Sequence, residues 1–483
     1  MYSIAFKKFS AQAYPLVEII ACAQSFLSKF FYHFLHEYPM ASRINSALVL
    51  SFLMSCMFAG ASSAQTTSEL SSMGVSEIRD QANVLIDQGQ FIAARPLLEE
   101  LIRRLSEMPD KSQLEHLNFF LGFSYVDEYK ATRTASYLEQ AIEYFDKVIK
   151  DFPNGERAIK ALEFKATCYS GLGKFEEAAD TWAVSLKPPY VDKLNTSERF
   201  ALIRKISQVF YQMKNWEKGE PWFKEMLEKA TTGEDKAYAA VALIRSYLAG
   251  DKFDEVKKLL PYLTYRQPAR YDIALSVDFM SYGDRLANEK RFAEASLCYT
   301  FVLSKKEILS FFEAYKELLE KQIARMRTVN PKNPRIQELE NKVAFAKANL
   351  EGVGGVADYS AQLLARRARN YFETKRNYES FWAYRQLLDN YPTDNAIEDY
   401  YLAAFICALQ IGKEKQVDDL GSEYRTNFPE GKHIKDINLQ FALFLLKKGK
   451  TDPTQKDRFF TVAKEALAAN PDDDAAGEYI FLM

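Results

Sequence analysis

The chain has little of the side-chain chemistry that enzymes and metal sites depend on. Its 483 residues include only four histidines and five cysteines. The sequence contains no H-E-x-x-H, C-x-x-C or G-x-S-x-G motif and no Walker-type phosphate loop. Beyond the N-terminal region only Cys168, Cys298 and Cys407 remain, too widely spaced for a disulfide framework. We therefore predict that the chain is not an enzyme and holds no cofactor or metal ion.

The chain also lacks an excess of either charge. The 63 Lys and Arg residues against 65 Asp and Glu residues give a net charge of −2. No positive surplus exists to neutralise a phosphate backbone, so we expect no nucleic-acid partner, and no motif suggests a small-molecule substrate. Glycine (19) and proline (16) are sparse, whereas Tyr (28) and Phe (35) are abundant. This composition favours stacked helices with short turns.

The N-terminal region has the pattern of a secretory signal peptide. Met40-Ala41-Ser42-Arg43 carries a positive charge, the run 47–59 is apolar, and the small residues 60–64 follow. We expect cleavage after Ala64, which makes 40–64 the signal peptide.

Several N-terminal alternatives stay open. We interpret residues 1–39 as an over-extended reading frame upstream of that signal, and residues 65–75 as a linker. A lipoprotein box at Leu53-Met54-Ser55-Cys56 and an uncleaved N-terminal anchor are the two alternatives to a cleaved signal. Either one implies a peripheral association with a membrane.

A helix-pair pattern recurs along the rest of the chain. In its clearest copy, small Ala166 lies on a first helix, and Phe175, Ala178 and Trp182 lie on one face of a second. Small residues let antiparallel helices approach closely, and large residues fill the gaps between them. The anchor of the second helix recurs at residues 94, 141, 178, 219, 256, 295, 381 and 417. This pattern predicts an all-α fold of stacked antiparallel helix pairs.

These residues resemble the tetratricopeptide repeat over most of 76–472. The repeat has a small residue and an aromatic residue on helix A, then Gly, an aromatic residue and Ala entering helix B. The resemblance implies an α-solenoid, or superhelix, that binds a protein or peptide. Closures such as Asp151-Phe152-Pro153 and Asn427-Phe428-Pro429 resemble those of two envelope proteins, the β-barrel assembly lipoprotein and the Tol–Pal coordinator.

That envelope resemblance implies a non-enzymatic interaction scaffold. It would be exported to the envelope of a Gram-negative-type bacterium, in the periplasm or at the outer membrane. Its role there would be in outer-membrane or cell-wall assembly.

The interval between anchors 295 and 381 is about twice the others. Within it, two helical patterns are separated by Asn330-Pro331-Lys332-Asn333-Pro334, and two prolines so close together make a firm break. We expect a long helical hairpin over 305–355. It would act as a joint between an N-terminal array (76–304) and a C-terminal array with a terminal cap (356–483).

The resemblance also implies where a partner binds. In tetratricopeptide proteins the helix A positions just after the small residue face the inner groove. Carried over to this sequence, the candidate groove consists of Asn83, Asp87, Phe123, Asp127, Gln208, Tyr211, Gln212, Arg245, Asp284, Asn288, Asn370 and Glu373.

Two other functions fit the same sequence. A peptidoglycan- or carbohydrate-associated helical protein would use aromatic residues such as Tyr211 and Trp382 as sugar platforms. A cytosolic regulator of the same repeat class requires only that the N-terminus is misread. Activity on cell-wall sacculi distinguishes the first function, and cell fractionation distinguishes the second.

Overall fold

The computed structural model describes residue 70, residues 72–469 and residues 476–483. In these ranges the chain consists of α-helices joined by short turns and 3-10 segments, with no β-strand. The predicted upstream extension, the signal peptide and most of the predicted linker lie outside the described residues.

The described residues up to Arg270 form one compact unit, here called the first unit. Its helices pair as α1 with α2, α3 with α4, α5 with α6, α7 with α8 and α9 with α10, and each helix packs against the next one in the chain. Their bounds are α1 (Val75–Asp87), α2 (Phe91–Ser106), α3 (Leu114–Thr132), α4 (Ala135–Asp151), α5 (Ala158–Gly171), α6 (Phe175–Ser185), α7 (Thr196–Met213), α8 (Trp216–Lys229), α9 (Gly233–Ala249) and α10 (Phe253–Leu259).

The described residues from Tyr271 onward form the second unit. Its helix pairs are α11 with α12, α13 with α14, α15 with α16, α17 with α18 and α19 with α20, followed by the short α21. Their bounds are α11 (Ile273–Asn288), α12 (Phe292–Phe301), α13 (Lys305–Val329), α14 (Arg335–Gly354), α15 (Ser360–Glu373), α16 (Asn377–Asn390), α17 (Ile397–Gln410), α18 (Glu414–Asn427), α19 (Ile434–Lys448), α20 (Pro453–Ala469) and α21 (Ala476–Leu482). The prediction of an all-α chain of antiparallel helix pairs is confirmed.

The repeat pairs are held together by rings of helix B that pack against small residues of helix A. A Cβ atom on Gly122 would lie 2.9 Å from the Phe145 ring, and one on Gly283 would lie 2.7 Å from the Tyr299 ring. Phe145 and Tyr299 are both buried. Because the ring occupies the space of a side chain, only glycine permits this approach.

The turn between helix A and helix B has the same backbone conformation in eight pairs. One residue with positive φ stands two positions before the first residue of helix B, with φ between 54° and 73°. Glycine, which adopts this conformation at little cost, fills the position in three of the pairs. The eight residues are Gly89, Arg133, Gly173, Lys214, Asp251, Lys290, Lys375 and Gly412.

In the second unit, α15 packs directly against α11 and α12 although the long hairpin α13–α14 separates them in sequence. The Tyr359 hydroxyl donates to the Leu303 carbonyl at 2.5 Å, and the Arg367 guanidinium donates to the Tyr299 carbonyl at 2.6 Å. The hairpin is therefore an insertion between two repeat pairs that contact each other. The compact units divide at residues 270 and 271, outside the predicted joint. That joint stays a prediction, which limited proteolysis at 328–334 and 351–356 tests.

Candidate functional site

The candidate groove residues of the first unit lie on its A helices and differ in accessibility. Asn83, Asp87 and Gln212 are exposed, whereas Phe123, Asp127, Gln208 and Tyr211 are half-buried. Phe123 meets the rings of Phe91 and Phe164 edge-on, with centroids 4.8 and 4.9 Å apart. Lys130 Nζ lies 5.3 Å from the centroid of the Phe123 ring, so much of that ring is already engaged within the unit.

The structure buries Arg245, which we therefore withdraw from the candidate groove. Its side chain is only 6% exposed, and its guanidinium donates a hydrogen bond of 2.7 Å to the Tyr211 hydroxyl. It also lies 5.0 Å from the centroid of the Tyr211 ring and 5.2 Å from that of Trp216. Arg245 thus holds α7, α8 and α9 together, and charge-assisted contacts of this kind stabilise helix packing.

In the second unit, Asp284 and Asn370 also serve the packing between helices. The Asp284 carboxylate accepts from Arg366 Nε at 2.8 and 2.9 Å and from the Tyr299 hydroxyl at 2.8 Å. Burial of the Tyr299 phenol, together with the Asp284 charge, raises the pKa of Tyr299.

Asn370 is the second residue that we withdraw, because it is 2% exposed and its amide donates to the Phe292 carbonyl at 2.8 Å. Asn288 remains exposed and Glu373 remains half-buried, the latter beside an open depression of about 450 Å³. That depression is lined by charged residues that include Arg291, whose Nε donates to Glu294 at 2.5 Å. The candidate groove is therefore interrupted by packing contacts in both units.

A more open surface lies on the B helices of the second unit. Tyr378 is 54% exposed and Trp382 is 47% exposed, whereas large aromatic side chains are usually buried in helix interfaces. They stand four residues apart on α16, and their ring centroids are 6.4 Å apart. Phe381 directly precedes Trp382, with a ring centroid 5.2 Å from that of the indole, and is 1% exposed because it points into the helix interface. Because α16 already fills its apolar face with such residues, Tyr378 and Trp382 are not needed for the core.

Trp382 borders a shallow depression between α16 and α18, which we call the B-helix cleft. It has a volume of about 190 Å³ and is lined by Phe381, Trp382, Arg385, Gln416, Asp419, Leu420 and Glu423. Leu420, 1% exposed, and Phe381 supply apolar atoms at its floor. The cleft thus combines an apolar floor, an exposed indole and polar side chains, which is the composition of a small recognition site.

The charged side chains of the cleft differ in whether they are paired. Arg385 bridges Glu423 at 3.2 Å and Asp389 at 3.1 Å. Partial burial opposes the charge on Arg385, but the two carboxylates outweigh it and hold the pKa of Arg385 above its usual range. Asp419 is exposed and pairs with no cation in the part of the chain that the structure describes. A negative charge is therefore left uncompensated at the rim.

Lys413 lies against the two exposed rings of α16. Its Nζ lies 5.4 Å from the centroid of the Tyr378 ring and 5.8 Å from that of the Trp382 ring. Contacts of an ammonium with aromatic faces at this range are favourable and restrain both side chains. The two rings are thus held in place while about half of each stays open to solvent.

This cleft lies outside the candidate groove predicted from the sequence. The sequence predicts Trp382 only as a sugar platform, because the tetratricopeptide pattern places the groove on helix A and Trp382 lies on helix B. The available signal was the spacing of Tyr378 and Trp382, which places two large rings next to each other on α16.

The described residues also show how the scarce titratable groups are used. His433 Nε2 lies 2.5 Å from Asp399 Oδ1, and Lys432 Nζ lies 2.8 Å from the same oxygen. Burial disfavours the Asp399 charge, but its partners outweigh this effect and lower the pKa of Asp399. The contact fastens the turn before α19 onto α17. Among the described residues no group of three His, Cys, Asp or Glu side chains could hold a metal ion. Nor does any helix in those ranges have the length and apolar character to cross a membrane.

Neither a family model nor a curated protein sequence matches the chain. Solved structures do. A tetratricopeptide repeat protein from Parabacteroides merdae has 14% identity and a TM-score of 0.29, covering 68% of this chain and 98% of its own. A TPR-repeat protein from Bacteroides fragilis has 16% identity and a TM-score of 0.29, covering 56% and 99%. The TPR2AB domain of yeast Sti1, in a complex with pHSP90, has 11% identity and a TM-score of 0.30, covering 68% and 97%.

The fold class rests on the helix pairs described above, which define each unit as an array of antiparallel helical repeats.

Proposed function

We propose that this chain is a non-enzymatic protein-interaction scaffold, and that its B-helix cleft binds an extended or helical segment of a partner protein. The observation that carries the proposal is the exposure of Trp382 and Tyr378 beside the cleft. Exposed rings held in place next to a concave site are typical of the residues that contribute most to binding.

The chemistry of the cleft indicates what its partner segment contains. The apolar floor at Leu420 and Phe381 accepts an aliphatic side chain, and its volume of about 190 Å³ suits one such group. Asp419 offers a carboxylate that forms no ion pair with the described residues. A partner segment with an apolar residue close to a Lys or Arg residue satisfies both features.

The proposal includes export to a bacterial cell envelope. Its support is the signal-peptide pattern that ends at Ala64 and the envelope-type repeat closures. Mass spectrometry of the mature N-terminus tests this part. A mature chain that begins at Gln65 supports cleavage, and one that begins before residue 55 contradicts it.

A cross-linked pull-down of the tagged protein from native envelopes tests the cleft. The cleft variant carries Trp382→Ala and Asp419→Lys, and a groove variant carries Asn83→Arg and Asp87→Arg. Tyr265→Ala, which removes a ring that is 56% exposed elsewhere, is the matched control.

Loss of a central Trp costs 2 kcal/mol or more at a typical hot spot, so we expect the cleft variant to bind its partner at least about 30-fold more weakly. The control and the groove variant should bind normally. Loss of the partner from the groove variant alone would move the site to the A helices. Recovery of the same proteins with every variant would refute both surfaces.

The peptidoglycan alternative is tested with the same proteins. Isolated sacculi that retain the wild type, but not Trp382→Ala, would identify the indole as a sugar platform instead of a protein-binding residue. We expect sacculi to retain neither protein.

A further inference from the structure

The hairpin α13–α14 projects from the second unit and packs on itself. The core of its outer part consists of Leu319, Ile323, Ile336, Leu339 and Val343, all of which belong to the hairpin. The base alone packs on neighbouring elements, through a cluster around Ile308 and Phe312 that includes Tyr271 and Leu303. The 25 residues of α13 correspond to a length of roughly 37 Å. We call this projection the arm.

The charge of the arm is concentrated at its tip. Residues 325–335 contain four cations, Arg325, Arg327, Lys332 and Arg335, and no carboxylate. In the rest of the hairpin, 305–324 and 336–355, six cations stand against seven carboxylates, so the remainder is close to neutral. The positive charge is thus a local feature of the tip.

The cations of the tip are largely uncompensated. Arg327 pairs with Glu340, and the nearby Glu338 is paired with Lys342 at 3.6 Å. Arg325, Lys332 and Arg335 are exposed and form no ion pair with any residue that the structure describes. A positive potential therefore extends from the tip into solvent, and at about 0.1 M ionic strength it acts over about 10 Å.

An apolar side chain lies among these cations. Val329 is the last residue of α13 and is 87% exposed, in contrast to Ile323 and Ile336, which are buried between the two helices. The loop that follows holds Pro331 and Pro334, which restrict the backbone of the tip. The tip is a convex, restrained projection with an apolar residue surrounded by positive charge.

We propose that the tip of the arm docks on an anionic phospholipid surface. A convex tip offers no groove for a peptide, whereas a planar surface can contact all of its cations together. Arg325, Lys332 and Arg335 would face the lipid phosphates, and Val329 would enter the boundary between headgroups and acyl chains. This contact is independent of the B-helix cleft, because none of the cleft residues lies in the hairpin.

Vesicle co-sedimentation of the full chain tests this assignment. The vesicles contain either phosphatidylcholine alone or a mixture of phosphatidylcholine and phosphatidylglycerol, whose anionic headgroups give the bilayer a negative surface potential. The tip variant carries Arg325→Glu, Lys332→Glu and Arg335→Glu. The control variant carries Lys111→Glu, Lys174→Glu and Lys187→Glu, three exposed loop lysines of the first unit. Both variants change the net charge equally, and all proteins share the same N-terminal segment.

Each cation near an anionic bilayer contributes roughly fivefold in affinity, so the tip variant should bind phosphatidylglycerol vesicles about 100-fold more weakly than the control. Val329→Asn should weaken binding to phosphatidylglycerol vesicles more than it weakens binding to polyglutamate, measured without added salt, because polyglutamate has no acyl boundary for the apolar side chain to enter. Binding of the wild type should fall as salt rises, and circular dichroism checks that each variant is folded.

Several outcomes would overturn the proposal. Equal binding of the tip and control variants would remove the tip from the contact. Equal binding of the wild type to both kinds of vesicle would remove the role of lipid charge. Binding to polyglutamate without binding to vesicles would show that the tip recognises an acidic protein segment instead.

Discussion

The repeated positive-φ turn gives a prediction in which only the backbone is perturbed. Lys214 and Lys290 occupy the left-handed region with φ of 54° and 64°, and Gly89 and Gly173 occupy the equivalent position with φ of 73°. A Cβ at Gly89 or Gly173 would meet no atom within 4 Å, so replacement by Ala introduces no clash. Changes at these positions therefore report backbone terms only: the left-handed conformation in the folded state and the chain entropy of the unfolded state.

The magnitude follows from two opposing terms. A residue with a Cβ pays about 1–2 kcal/mol in the left-handed region. Glycine raises the entropy of the unfolded chain, which costs about 0.4–1 kcal/mol. We expect Lys214→Gly and Lys290→Gly each to stabilise the protein by about 0.5–1 kcal/mol, and Gly89→Ala and Gly173→Ala each to destabilise it by a similar amount.

Urea unfolding followed by far-ultraviolet circular dichroism measures these changes as shifts of the midpoint at constant slope. Lys174→Gly is the control, because φ of Lys174 is −85° and glycine there should bring only a loss. If Lys214→Gly and Lys174→Gly shift the midpoint in the same direction, the conformational argument is wrong.

Three further predictions concern packing and ionisation. Gly283→Val should destabilise the second unit by about 1–3 kcal/mol, because its Cβ would meet the Tyr299 ring at 2.7 Å; an unchanged urea midpoint would contradict this. Asn370→Ala should cost about 1–3 kcal/mol in the same assay by removing the buried amide that donates to the Phe292 carbonyl and the Ser296 hydroxyl, while Asn288→Ala should have little effect. Burial raises the pKa of Cys168 to about 12, so native protein at pH 8 should resist alkylation there, as peptide mapping would show. Because the unfolded thiol ionises near pH 9 and the folded one does not, the stability from this site should fall as pH rises from about 9 towards 12; alkylation of Cys168 as fast in native protein as in urea would refute its burial.

Much of the fold could be predicted from sequence because the repeat is encoded in local spacing. The anchors Ala94, Ala141, Ala178 and Ala295 are all fully buried on helix B, as the alternation of small and large residues indicated. The break at Asn330–Pro334 falls between α13 and α14 because proline cannot continue a helix. Signals of this kind act within a few residues and are readable without knowledge of the tertiary contacts.

The candidate site was less predictable because exposure depends on distant parts of the chain. Arg245 and Asn370 occupy groove-type positions of helix A, yet each is buried by a neighbouring helix. Arg245 bonds to Tyr211, 34 residues away in sequence, and Asn370 bonds to Ser296, 74 residues away. Trp382 is a large residue of the kind that usually fills a core, but it is open to solvent because Phe381 already fills the interface of α16 with its neighbours. Periodicity identifies a face of a helix, but it does not show which face another helix covers.

The direct contact between α12 and α15 has a consequence for how the second unit assembles. In most repeat arrays each interface joins segments that are adjacent in sequence, which keeps contact order low. Here the interface closes a loop of roughly 55 residues, whereas adjacent repeat pairs are joined by loops of about four. The longer loop adds about 2 kcal/mol to the entropic cost of forming the interface. A folded hairpin brings Leu303 and Tyr359 together beforehand and so removes most of that penalty. Cooperativity across this part of the array therefore depends on an element that lies outside the stack itself.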